Sequence, residues 1–189
     1  SATDTMYAVF LGKAVQTVNP PSGSVDTAQL VDGSVNNAKI ASDASIATTK
    51  LGTGAVIQVV TATNTVERTT TSSSFVTASN TLTVNITPSS TSNKILLLGS
   101  FPMHINGSAS LGVHTIYRDS TNLGQTNYGF GYVYSSNSNP VSTNATVFLD
   151  SPNTTSQITY QVYIRATNNT VFISPNASTS TLTAIEIGA

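Results

Sequence analysis

After residue 52 the chain carries four carboxylates, Glu67, Asp119, Asp150 and Glu186, and two imidazoles, His104 and His114. Glycoside cleavage needs two carboxylates close together in a cleft, and each of these four is isolated in sequence. Asp150 is the most suggestive, in "FLDSPN", yet an Asp ahead of Ser-Pro at a strand end is ordinarily a turn residue. No nucleophile motif, phosphate loop or metal-ligand spacing occurs. The expectation is therefore a protein that is not an enzyme, with no catalytic residue, no metal and no cofactor. His104 and His114 flank "INGSASLG", which reads as a hairpin loop centred on Ala109 and would set the two rings across from each other. Two imidazoles so placed could bind a metal or ring the axis of an oligomer. Without a third ligand nearby, the better expectation is two exposed or hydrogen-bonded histidines on the outer face of a hairpin.

Binding chemistry is better represented. In "NYGFGYVYSSNSNP", at 127–140, a continuous strand would put Tyr128, Phe130, Tyr132 and Tyr134 on one face, with Gly129, Gly131 and Val133 opposite. Aromatic faces stack on sugar rings, and neighbouring Asn137 and Asn139 offer amides to a glycan's hydroxyls. Aromatic rows are equally at home between subunits. Interface and ligand face both stay open, and the six residues stand as receptor-binding candidates.

These groups must be positioned by strands. Segments with strand character occur at 56–63, 74–78, 81–87, 94–105, 111–118, 128–134, 145–149, 157–166, 170–174 and 180–187. Leu82, Val84 and Ile86 alternate with Thr83, Asn85 and Thr87. Ile158, Tyr160, Val162 and Ile164 alternate with Thr159, Gln161, Tyr163 and Arg165. Period two with one apolar face marks a half-buried strand. "ILLL" at 95–98 is apolar on both faces, so it belongs in the middle of a sandwich or against a partner subunit. Turn-rich "TPSSTSN", "SSNSNP" and "SPNTTS" punctuate the strands. The expected fold is all-β, a C-terminal β-sandwich of jelly-roll type over 53–189.

Ahead of it the sequence repeats. In "GSVDTAQLVDGSVNNAKIASDASIATTKL", Val25, Ala28 and Leu30 recur as Val35, Ala38 and Ile40, and a slipped third copy gives Ile46, Thr49 and Leu51. A step of ten with "DG" at 32–33 as a turn is too short for a solenoid coil with its own core. Backbone entropy of about 1–2 kcal/mol per residue outweighs the about 1.5–3 kcal/mol that each of six apolar side chains returns. One copy should not hold this shape alone. Residues 20–52 are thus expected to form a thin fibrous stalk, a parallel homotrimer with Val25, Leu30, Val35, Ile40, Ile46 and Leu51 facing the shared axis. Residues 1–19 read as a hairpin, Tyr7–Leu11 and Ala14–Val18, closing a domain whose earlier part would precede Ser1. "NPPSG" then breaks the strand pattern.

Composition narrows the partners. Only 8% of residues are charged, against about 25% in ordinary soluble domains, while Ser and Thr together number 57 and Asn 17. A net charge of −1 leaves no basic footprint for nucleic acid or an anionic membrane. No apolar run reaches the ~18 residues of a membrane span. Six Asn-x-Ser/Thr sequons are expected by accident in so hydroxyl-rich a chain.

Taken together, "YAVFLGKAVQTVNPPSGSV", the ten-residue repeats, "ITPSSTSNKILLL", "FLDSPNTTSQITYQV" and "STLTAIEIGA" resemble tail fibre proteins of marine bacteriophages over most of the chain. The resemblance implies a homotrimeric virion protein, attached to the tail through a region preceding Ser1. A thin shaft would lead to a C-terminal tip that recognises a host cell-surface glycan or protein. A trimeric bacterial surface adhesin is the alternative with the same build, and a fibre-borne glycan depolymerase is a weaker one.

Overall fold

The computed structural model describes residues 52–137 and 139–189, and before them Ser22, Val25, Ala28, 30–41, Ala44, Ile46 and Lys50. The expected hairpin at 1–19 and the axial Leu51 lie outside the described residues. The chain divides into two compact units, Ser1–Ser45 and Ile46–Ala189.

In the first unit, "DG" does form a turn. Gly33 takes φ 77°, and the Ser34 N–H donates to the Val31 carbonyl at 2.9 Å. A short 3-10 turn follows at Asn37–Lys39. Val25, Leu30, Val35 and Ile40 stay 39–54% exposed in the single chain, and in the second unit Ile46 is 49% exposed.

The second unit is a sandwich of two antiparallel sheets, built from twelve strands among the described residues. They are β1 (Val56–Asn64), β2 (Arg68–Thr70), β3 (Val76–Thr77), β4 (Thr83–Ile86), β5 (Lys94–Ile105) and β6 (Ser110–Arg118). There follow β7 (Thr121–Asn122), β8 (Gly131–Ser135), β9 (Val141–Asp150), β10 (Ile158–Ala166), β11 (Val171–Ile173) and β12 (Ser180–Ile187). The first sheet runs β1-β12-β5-β11-β2, with β9 on the free side of β5. The second runs β3-β10-β6-β7, with β4 also on β10 and β8 also on β6.

Alternation decides what is inside. On β10 Ile158, Tyr160, Val162 and Ile164 point into the sandwich, and on β5 Ile95, Leu97, Phe101, Met103 and Ile105 meet them. Gly99 interrupts the inward row of β5 because the Phe101 ring lies over it, where a Cβ would collide. Leu96 and Leu98 point outward, as the doubly apolar "ILLL" requires.

β5 and β6 are not a hairpin. They belong to different sheets, and the link between them turns through Gly107 (φ 76°) and Ala109 (φ 53°). His104 and His114 therefore do not face each other, contrary to the expectation. His104 stacks on Phe172, ring centroids 4.7 Å apart. His114 is fully buried.

Candidate functional site

The tyrosines of the aromatic segment come together on the outer face of the second sheet. β8 pairs with β6, setting Tyr132 opposite Val113 and Tyr134 opposite Leu111. Tyr132 and Tyr134 are 49% and 54% exposed, while Val133 and Ser135 between them are buried. Tyr128 joins them by a different route. Gln125 and Gly129 exchange backbone hydrogen bonds of 3.0 and 2.8 Å, and the Gln125 Oε1 accepts from the Asn127 N–H at 2.6 Å and the Tyr128 N–H at 2.5 Å. This closes a turn that brings Tyr128, 52% exposed, beside Tyr132, with ring centroids 5.7 Å apart.

The segment differs from the expected continuous strand in one respect. Gly129 sits at φ 56°, pressed so close to the His114 carbonyl that a Cβ would collide with it. This residue breaks the period-two alternation. Phe130 consequently turns inward and meets Phe148 at 5.1 Å, bridging the two sheets. Three of the four aromatics share a face, and the fourth closes the sandwich. Asn137 and Asn139 are exposed on the turn after β8, where Asn139 Oδ1 accepts from the Gly107 N–H at 3.2 Å.

More aromatics extend this face. Tyr117 on β6 and Tyr163 on β10 stack at 4.1 Å, and Phe75 approaches Tyr117 edge-on at 6.3 Å. The Arg165 guanidinium lies 5.3 Å from the Phe75 ring centre, donates to the Ser73 carbonyl at 3.0 Å and also to the Asn127 carbonyl. It thus ties the segment before β3 to the Tyr128 turn. The period-two alternation of β10 already put Tyr163 and Arg165 on this side. Tyr117 and Phe75 carried no comparable signal.

His114 supports β8 from below. Its Nε2 lies 2.9 Å from Thr146 Oγ1, its ring is 5.1 Å from that of Phe101, and a Cβ on Gly131 would stand only 3.0 Å from its Cε1. Burial lowers its pKa from 6.5 to about 4, and the nearby Gly131 backbone, which as an acceptor favours the protonated ring, opposes the shift only in part.

The carboxylates are committed elsewhere, each to its own donors. Asp150, at the end of β9, is buried rather than a free turn residue. Arg118 Nη1 donates to both its oxygens at 2.8 and 2.9 Å, and the Tyr160 hydroxyl donates at 2.6 Å. Burial first, and then that bonded carboxylate, push the Tyr160 pKa up. Glu186 is fully buried, and among the described residues no cation pairs with it. It accepts from Gln58 Nε2 (2.5 Å), the Ser89 N–H (2.6 Å) and hydroxyl (2.8 Å), and Asn93 Nδ2 (2.6 Å). Burial alone would raise its pKa, but these hydrogen bonds outweigh it and hold the pKa below the usual value. Asp119 accepts from the Thr159 N–H at 3.0 Å, and Glu67 from that of Asn176 at 3.3 Å.

Fold and site together define an all-β sandwich of two antiparallel sheets, with exposed tyrosines on the outer face of the second. No family model matches the chain, and no curated protein does. Among solved structures, a chain of infectious bursal disease virus, Gx strain, is 13% identical with a TM-score of 0.38. A mutant VP2 protein of infectious bursal disease virus, in derived T=1 particles, is 12% identical with the same TM-score. In both cases the match covers 70% of this chain and 36% of the other, so the chain spans about a third of the length of these structures.

Proposed function

We propose that this chain is the shaft and receptor-binding tip of a bacteriophage tail fibre, a non-enzymatic virion protein that attaches the particle to a host cell-surface glycan or protein. The observation that carries this reading is the half-exposed trio Tyr128, Tyr132 and Tyr134 on one sheet face, built by β8 and the Gln125–Gly129 turn. Rings held this way present flat apolar area with a polar rim, which suits sugar rings. Asn137 and Asn139 stand on the adjoining turn. The commitment of each carboxylate to its own donors supports binding over hydrolysis, and the motif resemblance of the repeats and strands supports the fibre context. Repeats that leave their apolar side chains half exposed in one chain support a parallel homotrimer.

The test is adsorption of the fluorescently labelled chain to a panel of marine bacterial strains, alongside the Tyr132→Ala variant. Loss of one stacking ring is expected to weaken binding about tenfold, with an unchanged melting temperature because the side chain is half solvated. Wild-type binding by Tyr132→Ala would refute the tyrosine face as the receptor site. So would a variant that melts early and loses its oligomeric state.

A further inference from the structure

The two sheets leave a small cleft at one open edge of the sandwich. It lies between β2, the last strand of the first sheet, and β3 with the turn that follows it, at the edge of the second. Its volume is about 150 Å³, and Arg68, Thr69, Thr77, Ala78, Ser79 and Asn80 line it. Register explains how a cation comes to stand there. Arg68 lies opposite Ile173, and Ile173 opposite Met103. Both are fully buried, so Arg68 belongs to the inward face of its sheet. Because β2 is the last strand, that face opens to water and Arg68 is exposed. The floor is fixed. Ser79 is buried, and Asn64 Oδ1 accepts from the Ser79 hydroxyl at 3.2 Å and from that of Thr81 at 2.9 Å. The Asn64 amide in turn donates to Ser174 Oγ at 2.9 Å and to the Val66 carbonyl at 2.6 Å.

The walls contrast with that floor. The side chains of Arg68, Thr69, Thr77 and Asn80 make no hydrogen bond within the described residues, where the one ion pair is Arg118 with Asp150. Glu67, the neighbouring carboxylate, accepts from the Asn176 N–H instead. We propose that this cleft binds the carboxylate of an acidic sugar unit, with Arg68 as its anchor. Charge decides the class. A planar guanidinium offers a carboxylate two parallel N–H donors. One cation balances that single negative charge, whereas it would leave a phosphate dianion half neutralised, with Glu67 next to it in the chain. The uncommitted neighbours are two threonine hydroxyls and an amide, neutral donors and acceptors that suit the hydroxyls of a sugar ring. Size agrees, since a cavity on the order of 150 Å³ accommodates one six-membered ring. An inward-pointing charge can also guard a sheet edge against pairing, but a lysine would do that as well as an arginine. The proposal does not rest on the tyrosine face, which belongs to a different part of the second sheet.

The test is saturation-transfer NMR on the full chain with glucuronate, with glucose as its neutral counterpart, and with methyl glucuronide and acetate. Glucuronate is expected to bind at least about tenfold more tightly than glucose, and methyl glucuronide to match it, as a unit within a glycan would. Arg68→Gln should abolish the preference with an unchanged melting temperature, because the side chain is exposed. Arg68→Lys, which keeps the edge charge, should bind glucuronate more weakly than wild type. Asn80→Ala should weaken glucuronate but not acetate. Glucuronate no tighter than glucose, or a preference that survives Arg68→Gln, would overturn the proposal. Acetate binding as tightly as glucuronate would overturn the sugar assignment, and rejection of methyl glucuronide would overturn a glycan as the source. Tyr132→Ala should keep the glucuronate preference, so failure of the receptor reading shows separately, in the cell binding of that variant.

Discussion

Mild acid should destabilise this protein through one residue, His114. Its imidazole is fully buried between Phe101 and Thr146, and burial lowers its pKa to about 4 from 6.5 in the unfolded chain. Below pH 6.5 the unfolded state therefore takes up a proton that the folded state refuses. The sign follows directly: His114's contribution is intact above about pH 6.5, falls as pH drops, and levels off below about pH 4. Integrated over that window, the loss is about 2 kcal/mol at pH 5 and about 3 kcal/mol at pH 4. The assay is urea unfolding at fixed chain concentration at pH 7.5 and pH 5, for wild type and for His114→Gln, which cannot titrate there. His114→Gln is expected to be less stable at pH 7.5, because Gln fits the ring's site poorly. Its further loss on going to pH 5 should stay below about 1 kcal/mol. An equal acid loss in both proteins would refute the reasoning, since the proton would then be binding elsewhere.

Two other variants test the scaffold. Glu186→Gln turns one acceptor oxygen into a donor amid the side chains of Gln58, Ser89 and Asn93, which already donate to it, and should lower unfolding free energy by about 1–3 kcal/mol. Because the pKa of Glu186 is held below its usual value, its contribution is present above pH 4.5 and is lost as pH falls further; the variant should lack that part of the acid loss in the same urea titrations. Gly129→Ala forces a side chain into a left-handed backbone position against the His114 carbonyl. It should cost about 2–4 kcal/mol and lower the melting temperature on the order of 10 °C. It should also weaken cell adsorption, since the same turn sets Tyr128 beside Tyr132.

Much of this fold was legible because its long strands alternate. β5 and β12 begin and end where the period-two pattern of bulky side chains does, at Lys94–Ile105 and Ser180–Ile187. β2 and β7 were not legible: "RTT" and "TN" have no apolar alternation, and they are strands only because β11 and β6 offer them an edge. Whether two alternating strands form a hairpin or cross between sheets is a tertiary fact that "INGSASLG" cannot encode, which is why the two histidines part company. The tyrosine segment shows the same limit from the other side. "NYGFGYVY" alternates from end to end, and only the close approach of Gly129 to His114 sends Phe130 inward.

What alternation did encode is the contrast between the outer faces, and that contrast bears on the question the aromatic row raised. On β5 the outward residues Leu96 and Leu98 are as apolar as the inward Ile95 and Leu97, whereas on β10 the outward residues are Thr159, Gln161, Tyr163 and Arg165. An aliphatic row can be buried against its like at no hydrogen-bonding cost. A tyrosine row buried between subunits would strand each hydroxyl unless a partner met it. On the receptor reading proposed above, Tyr128, Tyr132 and Tyr134 stand half in water, where their hydroxyls stay satisfied until a ligand replaces the solvent.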